Sequence, residues 1–560
     1  MSSTRLATIA ALLLAALPGI IVGAERHVPV DFTTIQSAID ASKSGDTILV
    51  AAGTYRERVT MKPGMTLRSA GDDSKGKLGL KRAETTIIDG GGMDGSGAGV
   101  DMADDSILDG FTVQNVGVYD NLEWKRHFET HGEQQSYEPI GEPGVAGIAA
   151  IGVNCTISNN IVRHVGYSGI AIMGVDGKRV SPLVLHNYCY RNMGGGIGAM
   201  RGNTATIQSN VCFENFYAGI GHDNASPLVI DNECYGNVRA GIGVSEGACP
   251  IIRGNRCHKN RRAGIGIRTG SETRPIVEDN DCYANGYAGI GVREQAAPII
   301  RDNRCYKNER AGIGSRTGAT PVIVDNECYE NDKAGIGQMS GTRTVLMGNY
   351  LHHNKTSGIG FDAGGGGESL VMNNRVIDNA LVAVGVNPGW KVLFAGNEFS
   401  REGGLPPIVM VFEGATATFS KNVIRGGGVA GIRVAGTIHA EDNHFDGTSF
   451  RVVGPPNFAI WGLKGARVTA VGNRINGWRH ALSSSEGHVT AVNNVVRRAS
   501  KAAFMVSQPA SPPIVHGNSL ESSNPADVVA LLNGEPLASA ENHVRALTDE
   551  SNSDFDVGAP

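Results

Sequence analysis

The chain has 560 residues, and its 77 glycines are about twice the usual share of ~7%. Hydrophobic residues make up 41% and aromatic ones only 6%, which excludes a disordered glycine-rich polymer and fits a narrow core better than a wide one. The net charge of −5, without any Lys/Arg-rich run, argues against nucleic acid as a partner, since phosphate binding needs a dense basic face.

Residues 1–24 read as a signal peptide. Arg5 precedes an apolar run from Leu6 to Ile21, and Val22-Gly23-Ala24 offers small residues for cleavage before Glu25. The run is shorter than the ~20 residues of a membrane span, and no later segment is apolar enough, so the mature chain is expected to be exported, as a periplasmic, cell-surface or extracellular protein. Residues 25–118 read as an N-terminal cap and first coils. Ile35, Ala38 and Ile39 have helical spacing, and a short helix there would cover the open edge of a solenoid. Residues 119–145 break all periodicity and form an inserted loop carrying Trp124, Lys125, His127, Glu129, His131, Glu133 and Tyr137.

From 146 to 525 the chain repeats itself. Asn187-Tyr188-Cys189-Tyr190 returns as Asn210-Val211-Cys212-Phe213 and so on to Asn326-Glu327-Cys328-Tyr329, and the units run on into Ala-Gly-Ile-Gly, as at Ala240–Gly243, Ala263–Gly266 and Ala288–Gly291. Later coils keep the asparagine, at Asn349, Asn374, Asn397 and Asn422. A period of 22–25 residues built from segments of three to five residues, with no leucine ladder, predicts an all-β fold, a right-handed parallel β-helix of three short strands per coil. Like residues would stack at about 4.8 Å, the asparagines as a ladder at a tight turn, each Gly-Ile-Gly with isoleucine inward and two bare positions outward. Residues 526–560 read as a C-terminal cap, with a short helix over Ala526–Leu532, and a loose acidic tail from Asp549.

Residues 26–115 and the repeats resemble the pectin lyase-like superfamily, in particular its carbohydrate-binding and sugar-hydrolase repeats and the NosD-like periplasmic proteins. The resemblance implies the fold much more than an activity. Gly53-Thr54-Tyr55-Arg56-Glu57 is similar to an early pectin methylesterase motif, but that family's later paired aspartates do not follow. Asp72-Asp73 and Asp104-Asp105 lack the Gly-His-Gly of polygalacturonases, and the Asp-Pro-His-Asp of alginate epimerases is absent.

Three features invite chemistry. The seven column cysteines have no CxxC pairing, and Leu351, Val376, Phe399 and Ile424 take the same slot later, so cysteine serves there as a small buried hydrophobe; a soft-metal site such as Cu(I) is the alternative. The residue three after each isoleucine should point outward: Met200, Asp223, Ser245, Arg268, Arg293, Arg316, Met339 and Asp362, with Arg201, Glu246 and Glu294 beside them. Arg268, Arg293 and Arg316 at strand spacing could neutralise uronate carboxylates and serve as the catalytic base, while Asp223, Glu246, Glu294 and Asp362 could contact substrate or hold Ca²⁺. A solvated face of cross-coil charge pairs is the plain alternative. In the insertion, Trp124 and Tyr137 could stack on sugar faces, and His127 and His131 could join the substrate site.

Two functions are therefore open. One is an exported protein, plausibly monomeric, that engages an acidic polysaccharide along its outer face, acting by β-elimination if it is an enzyme. The other is a non-catalytic surface or periplasmic binding or scaffold protein, with NosD-like metal maturation as a special case.

Overall fold

The computed structural model describes residues 23–74, 76–93, 97–130, 145–402, 405–447, 458–499, 502–524, 526–537 and 541–547. The signal sequence, all but its last two residues, His131, Tyr137 and the acidic tail lie outside them.

The chain winds as a parallel β-helix with three strands per coil. Its strands assemble into three sheets of twenty, here called A, B and C in the order each coil visits them. One coil, for example, supplies Ile276–Glu278 to sheet A, Asp281–Tyr283 to sheet B and Ile290–Val292 to sheet C. Each strand pairs in register with its counterpart one coil on, so Cys257 lies beside Cys282 and Cys282 beside Cys305. Leu351, Val376, Phe399 and Ile424 continue that column. All seven column cysteines are free and fully buried, as are the isoleucines of sheet C, and together they fill the narrow core. Burial of one such isoleucine is worth about 1.5–3 kcal/mol.

The asparagines stack as a ladder whose amides bond to one another and to the backbone, as expected, but they point inward and are not themselves the positive-φ turn residues. The left-handed backbone falls one residue earlier, on Asp279, Asp302 and Asp325 before Asn280, Asn303 and Asn326. Such a turn leaves backbone groups inside the coil, and the asparagine amide satisfies them. Asn303 Oδ1 accepts from the backbone N–H of Asn280 at 3.0 Å, and Asn303 Nδ2 donates to the Val277 carbonyl at 2.9 Å and to Asn326 Oδ1 at 3.0 Å. A second ladder, from Asn192 to Asn379, does the same where sheet B turns into sheet C.

The ends are handled differently. Helix α1 (Ile35–Asp40) buries Ile35, Ala38 and Ile39 against the first coils, as predicted. Glu57 accepts from the Ile35 and Gln36 amides at 2.9 Å each, so the carboxylate of the Gly-Thr-Tyr-Arg-Glu segment holds a helix start. Helix α2 (Lys81–Thr85) escaped the sequence reading. At the far end the helix expected over Ala526–Leu532 is not formed. Ala530–Leu532 is a strand of sheet C that turns through Asn533 and Gly534, both at positive φ, into an antiparallel strand at Glu535–Pro536. Asn-Gly is the preferred pair for such a two-residue hairpin, and that turn chemistry outweighs helical spacing.

Candidate functional site

The two glycines of each Gly-Ile-Gly have different jobs. A Cβ on the first would collide with the next coil: at Gly289 it would lie 2.8 Å from the Gly312 carbonyl, 2.9 Å from Asn308 Nδ2 and 3.0 Å from Cys305 Cβ. That glycine is therefore an inner packing position, not the bare outer one expected. The second glycine does face outward. A Cβ at Gly266, Gly291 or Gly314 would meet nothing nearer than an alanine methyl at 3.7 Å, and one at Gly221 would meet nothing within 4 Å. None of these has a positive φ. Neither packing nor backbone demands glycine there, although glycine weakens a strand and in strands often marks close approach of a ligand. The bare column runs in register from Gly198 through nine coils to Gly385.

Two columns flank this floor. Where sheet C ends, Arg268 donates its backbone N–H to Val244 at 2.9 Å, Arg293 to Ile267 at 3.0 Å and Arg316 to Val292 at 2.9 Å, which sets the three arginines in successive coils. Met200, Asp223 and Ser245 precede them in register, and Met339 and Asp362 follow. The opposite wall was missed from sequence. It is the residue just before each Ala-Gly-Ile-Gly: Tyr217, Arg239, Arg262, Tyr287, Arg310 and Lys333 follow one another through backbone bonds of 3.0–3.2 Å. Arg239 lies over the Tyr217 ring at 4.3 Å and Arg310 over Tyr287 at 5.7 Å. The signal was present in the repeat, as the one letter before its most regular phrase that keeps changing among Arg, Tyr and Lys.

The charges here differ from those on the other two faces. On sheet B the column Glu233, Arg256, Asp281, Arg304, Glu327 alternates in sign from coil to coil, with Arg256–Glu233 at 3.1 Å and Arg304–Asp281 at 2.7 Å. On sheet A, Glu278 bridges Arg253 at 2.7 Å and Arg301 at 2.5 Å. On sheet C, by contrast, Arg268, Arg293 and Arg316 repeat one sign over three coils, and the opposite wall stacks Arg239 on Arg262 and Arg310 on Lys333. Arg293 does meet Glu294 at 3.2 Å, and Thr269 donates to Glu294 at 3.4 Å. Burial, and then the neighbouring Glu246, raise the Asp223 carboxyl above its ordinary range, and Arg268 opposes them. Arg201, Glu246 and Glu294 all sit at positive φ in the turn that follows.

The acids do not converge. Asp223 and Glu246 lie in adjacent coils, but Glu294 and Asp362 are further along, and the Asp362 carboxylate folds back on the Ala363 amide at 2.7 Å. Among the described residues no group of three His, Cys, Asp or Glu is placed to hold a metal ion, and the four acids do not form a Ca²⁺ site together. His222 points inward and donates its Nδ1–H to the Gly243 carbonyl at 2.9 Å, and burial lowers its pKa to about 4.

The described part of the insertion is a packing element. Helix α3 (Asn121–Glu129) starts on Asp120, whose side chain accepts from the Leu122 and Glu123 amides. Trp124 is 4% exposed, donates Nε1 to the Glu214 carbonyl at 2.6 Å and carries the Arg191 guanidinium on its face at 4.6 Å. His127 is buried edge-on to Phe216 at 4.7 Å and bonds Glu123 at 3.0 Å. Both side chains fasten the insertion to the corner before sheet C, and neither presents a ring face to a sugar. A surface depression of about 500 Å³ lies elsewhere, on sheet A. Its floor is aliphatic, with Val345 and Leu370, and its lining sets Arg343 3.9 Å from Glu368 and includes Lys391.

The fold is a parallel β-solenoid with a strip of bare glycines along one face, called the trough below, bordered by two columns that carry cations in part of the coils. The model of the right-handed β-helix region matches residues 98–274 and 252–399, more than half of the chain, and the protein belongs to that family. No curated protein matches it in sequence. Among solved structures it is similar to the A-module of the Azotobacter vinelandii mannuronan C-5 epimerase AlgE4, at 13% identity, covering 75% of this chain and 93% of that one with a TM-score of 0.26. It is also similar to an alginate lyase from Paenibacillus sp. (16%, 53% and 91%, TM-score 0.31) and to a mutant of the PL6 family alginate lyase AlyGC (10%, 94% and 98%, TM-score 0.36). Likeness this remote says nothing about what the present chain does. No helix among the described residues is long and apolar enough to cross a membrane.

Proposed function

We propose that this is an exported protein that binds an acidic polysaccharide lengthwise in the trough of sheet C. One observation carries the reading: arginines stacked in register, where the other two faces alternate their charges, border a floor kept bare without structural need. Like charges at strand spacing repel, and a polyanion along the trough relieves that repulsion while gaining charge-assisted hydrogen bonds. The bare floor lets a sugar chain approach the backbone. If the bound chain is cleaved, β-elimination is the reaction this wall suits: an arginine of the 268, 293, 316 column in its neutral form takes the C5 proton next to the carboxylate its neighbours neutralise, the C4–O bond breaks as the C4–C5 double bond forms, and the departing sugar oxygen takes a proton from that guanidinium or from water.

The test adds purified protein to polygalacturonate and to alginate, following both retention on the immobilised polymer and the ultraviolet absorbance of unsaturated products. Retention that Arg268→Ala with Arg293→Ala weakens at least tenfold supports binding. New absorbance adds lyase activity, and its absence leaves a binding or scaffold protein. Failure to retain either polymer at low salt overturns the reading.

A further inference from the structure

The trough does not stay open along its whole length. After Gly385 the next three positions of the floor column are Met410, Arg433 and Trp461. Their strand neighbours Val409, Val411, Ile432, Val434 and Ile460 are fully buried, so alternation turns these three side chains outward, onto the floor. Met410 is itself buried, at 8% exposure. Arg433 lays its guanidinium over the Trp461 indole at 5.0 Å, and Phe458 leans on the same ring at 5.3 Å. Arg433 Nε is buried and has no partner among the described residues. The walls lose their cations before the step: Arg316 is followed by Met339, Asp362, Asn387 and Phe412, and Lys333 by Thr356 and Leu381, with Leu381 51% and Phe412 39% exposed.

We propose that the Met410–Arg433–Trp461 step closes one end of the trough and forms a subsite for the terminus of an acidic sugar chain. This rests on the acidic-polysaccharide reading above and adds a direction and a length limit to it. A floor of bare glycines lets a polymer pass over any coil. A step of three side chains does not, so a chain lying on the floor must end there. At that end Arg433 meets the last carboxylate, while Phe412 and the open part of Trp461 pack against the C–H face of the terminal ring. From Gly198 to Gly385 the bare floor is eight strand spacings, or about 38 Å at ~4.8 Å each.

The experiment measures binding of wild-type protein to polygalacturonate before and after random partial hydrolysis, and to oligogalacturonates whose extended lengths bracket that span. Sites per gram of polymer should rise in proportion to the number of chain ends, and affinity should stop improving once an oligomer fills the floor. Arg433→Gly with Trp461→Gly should weaken oligomer binding at least tenfold and make polymer binding follow mass instead of ends. Wild-type stoichiometry that already follows mass, unchanged by hydrolysis, overturns the end-subsite while leaving lengthwise binding intact. No binding of any of these probes overturns both. The wild-type stoichiometry decides alone if the double variant does not fold.

Discussion

The two glycines of one Gly-Ile-Gly make a paired test of floor against packing. Gly291→Val places a β-branched side chain where the nearest neighbour is an alanine methyl at 3.7 Å and no positive φ is required. Replacing glycine by valine in a strand should stabilise, by up to about 1 kcal/mol. Gly289→Ala, two residues earlier, drives one methyl to within 2.8 Å of a backbone carbonyl and 3.0 Å of Cys305 Cβ. Overpacking of this kind costs about 1–3 kcal/mol. Urea unfolding followed by circular dichroism should therefore give Gly291→Val a midpoint at or above wild type and Gly289→Ala a clearly lower one. On the polygalacturonate column the order reverses. Gly291→Val, extended to Gly266 and Gly314, should lose retention at least tenfold because three branched side chains then stand on the floor, while Gly289→Ala, where folded, keeps it. Equal destabilisation by both substitutions would show that the outer glycine is structural and refute the floor argument. A stable triple valine variant with unchanged retention would move the binding site elsewhere.

Asn303→Ala removes the acceptor of the Asn280 amide and the donor to Val277, leaving buried backbone groups unpaired at about 1–3 kcal/mol each, and hydrogen exchange should speed up in the coils around 277–303 first. His222 is held near 4 by burial against an ordinary value of 6.5, so the unfolded chain binds the proton first. Stability should fall as pH drops from 6.5 toward 4, by about 3 kcal/mol at most from this residue, and in His222→Ala the slope of the urea midpoint against pH in that window should flatten; an unchanged slope would assign it to other groups. Eight of the nine cysteines are buried, and burial pushes Cys155 up to about 12, so native protein should react with a maleimide at Cys249 alone and at the rest only on unfolding.

The coil was legible because each of its rules is printed many times. Isoleucine, cysteine and asparagine recur at one spacing since each must sit above its own copy, and a residue that breaks the stack costs two interfaces rather than one. The letters that escaped are those whose meaning depends on the coil above. Glycine before isoleucine and glycine after it look alike in the repeat, yet one is fixed by the Asn308 amide of the neighbouring coil and the other by nothing in the fold. Trp124 and His127 looked like sugar-binding residues because an insertion carries no periodic partner to betray that it packs; their partners, Glu214 and Phe216, are some ninety residues away.

The same dependence on neighbours locates the site. Charge on a parallel solenoid is read along the axis, because a side chain's closest polar neighbours belong to the coils before and after it. Glu233 to Glu327 and Arg253 to Arg301 show that this chain alternates sign where a face has only to be soluble. Arg268, Arg293 and Arg316 repeat the same sign, and Arg239 and Arg262 do so across the floor from them. A rule of alternation kept on two faces and set aside on the third marks the third as the face where a polyanion would add most to the counter-charge that Glu294 gives Arg293. Salt gives the direct measure of that. Each carboxylate–arginine contact exposed along the trough is screened within a Debye length of about 10 Å at 0.1 M, so retention on polygalacturonate should fall steeply between 0.05 and about 0.5 M salt. The alternating columns cancel between neighbouring coils, and their exposed pairs are worth little each, so stability should depend on salt far less than retention does. Retention that persists through that range would mean the polymer is held by something other than the arginines.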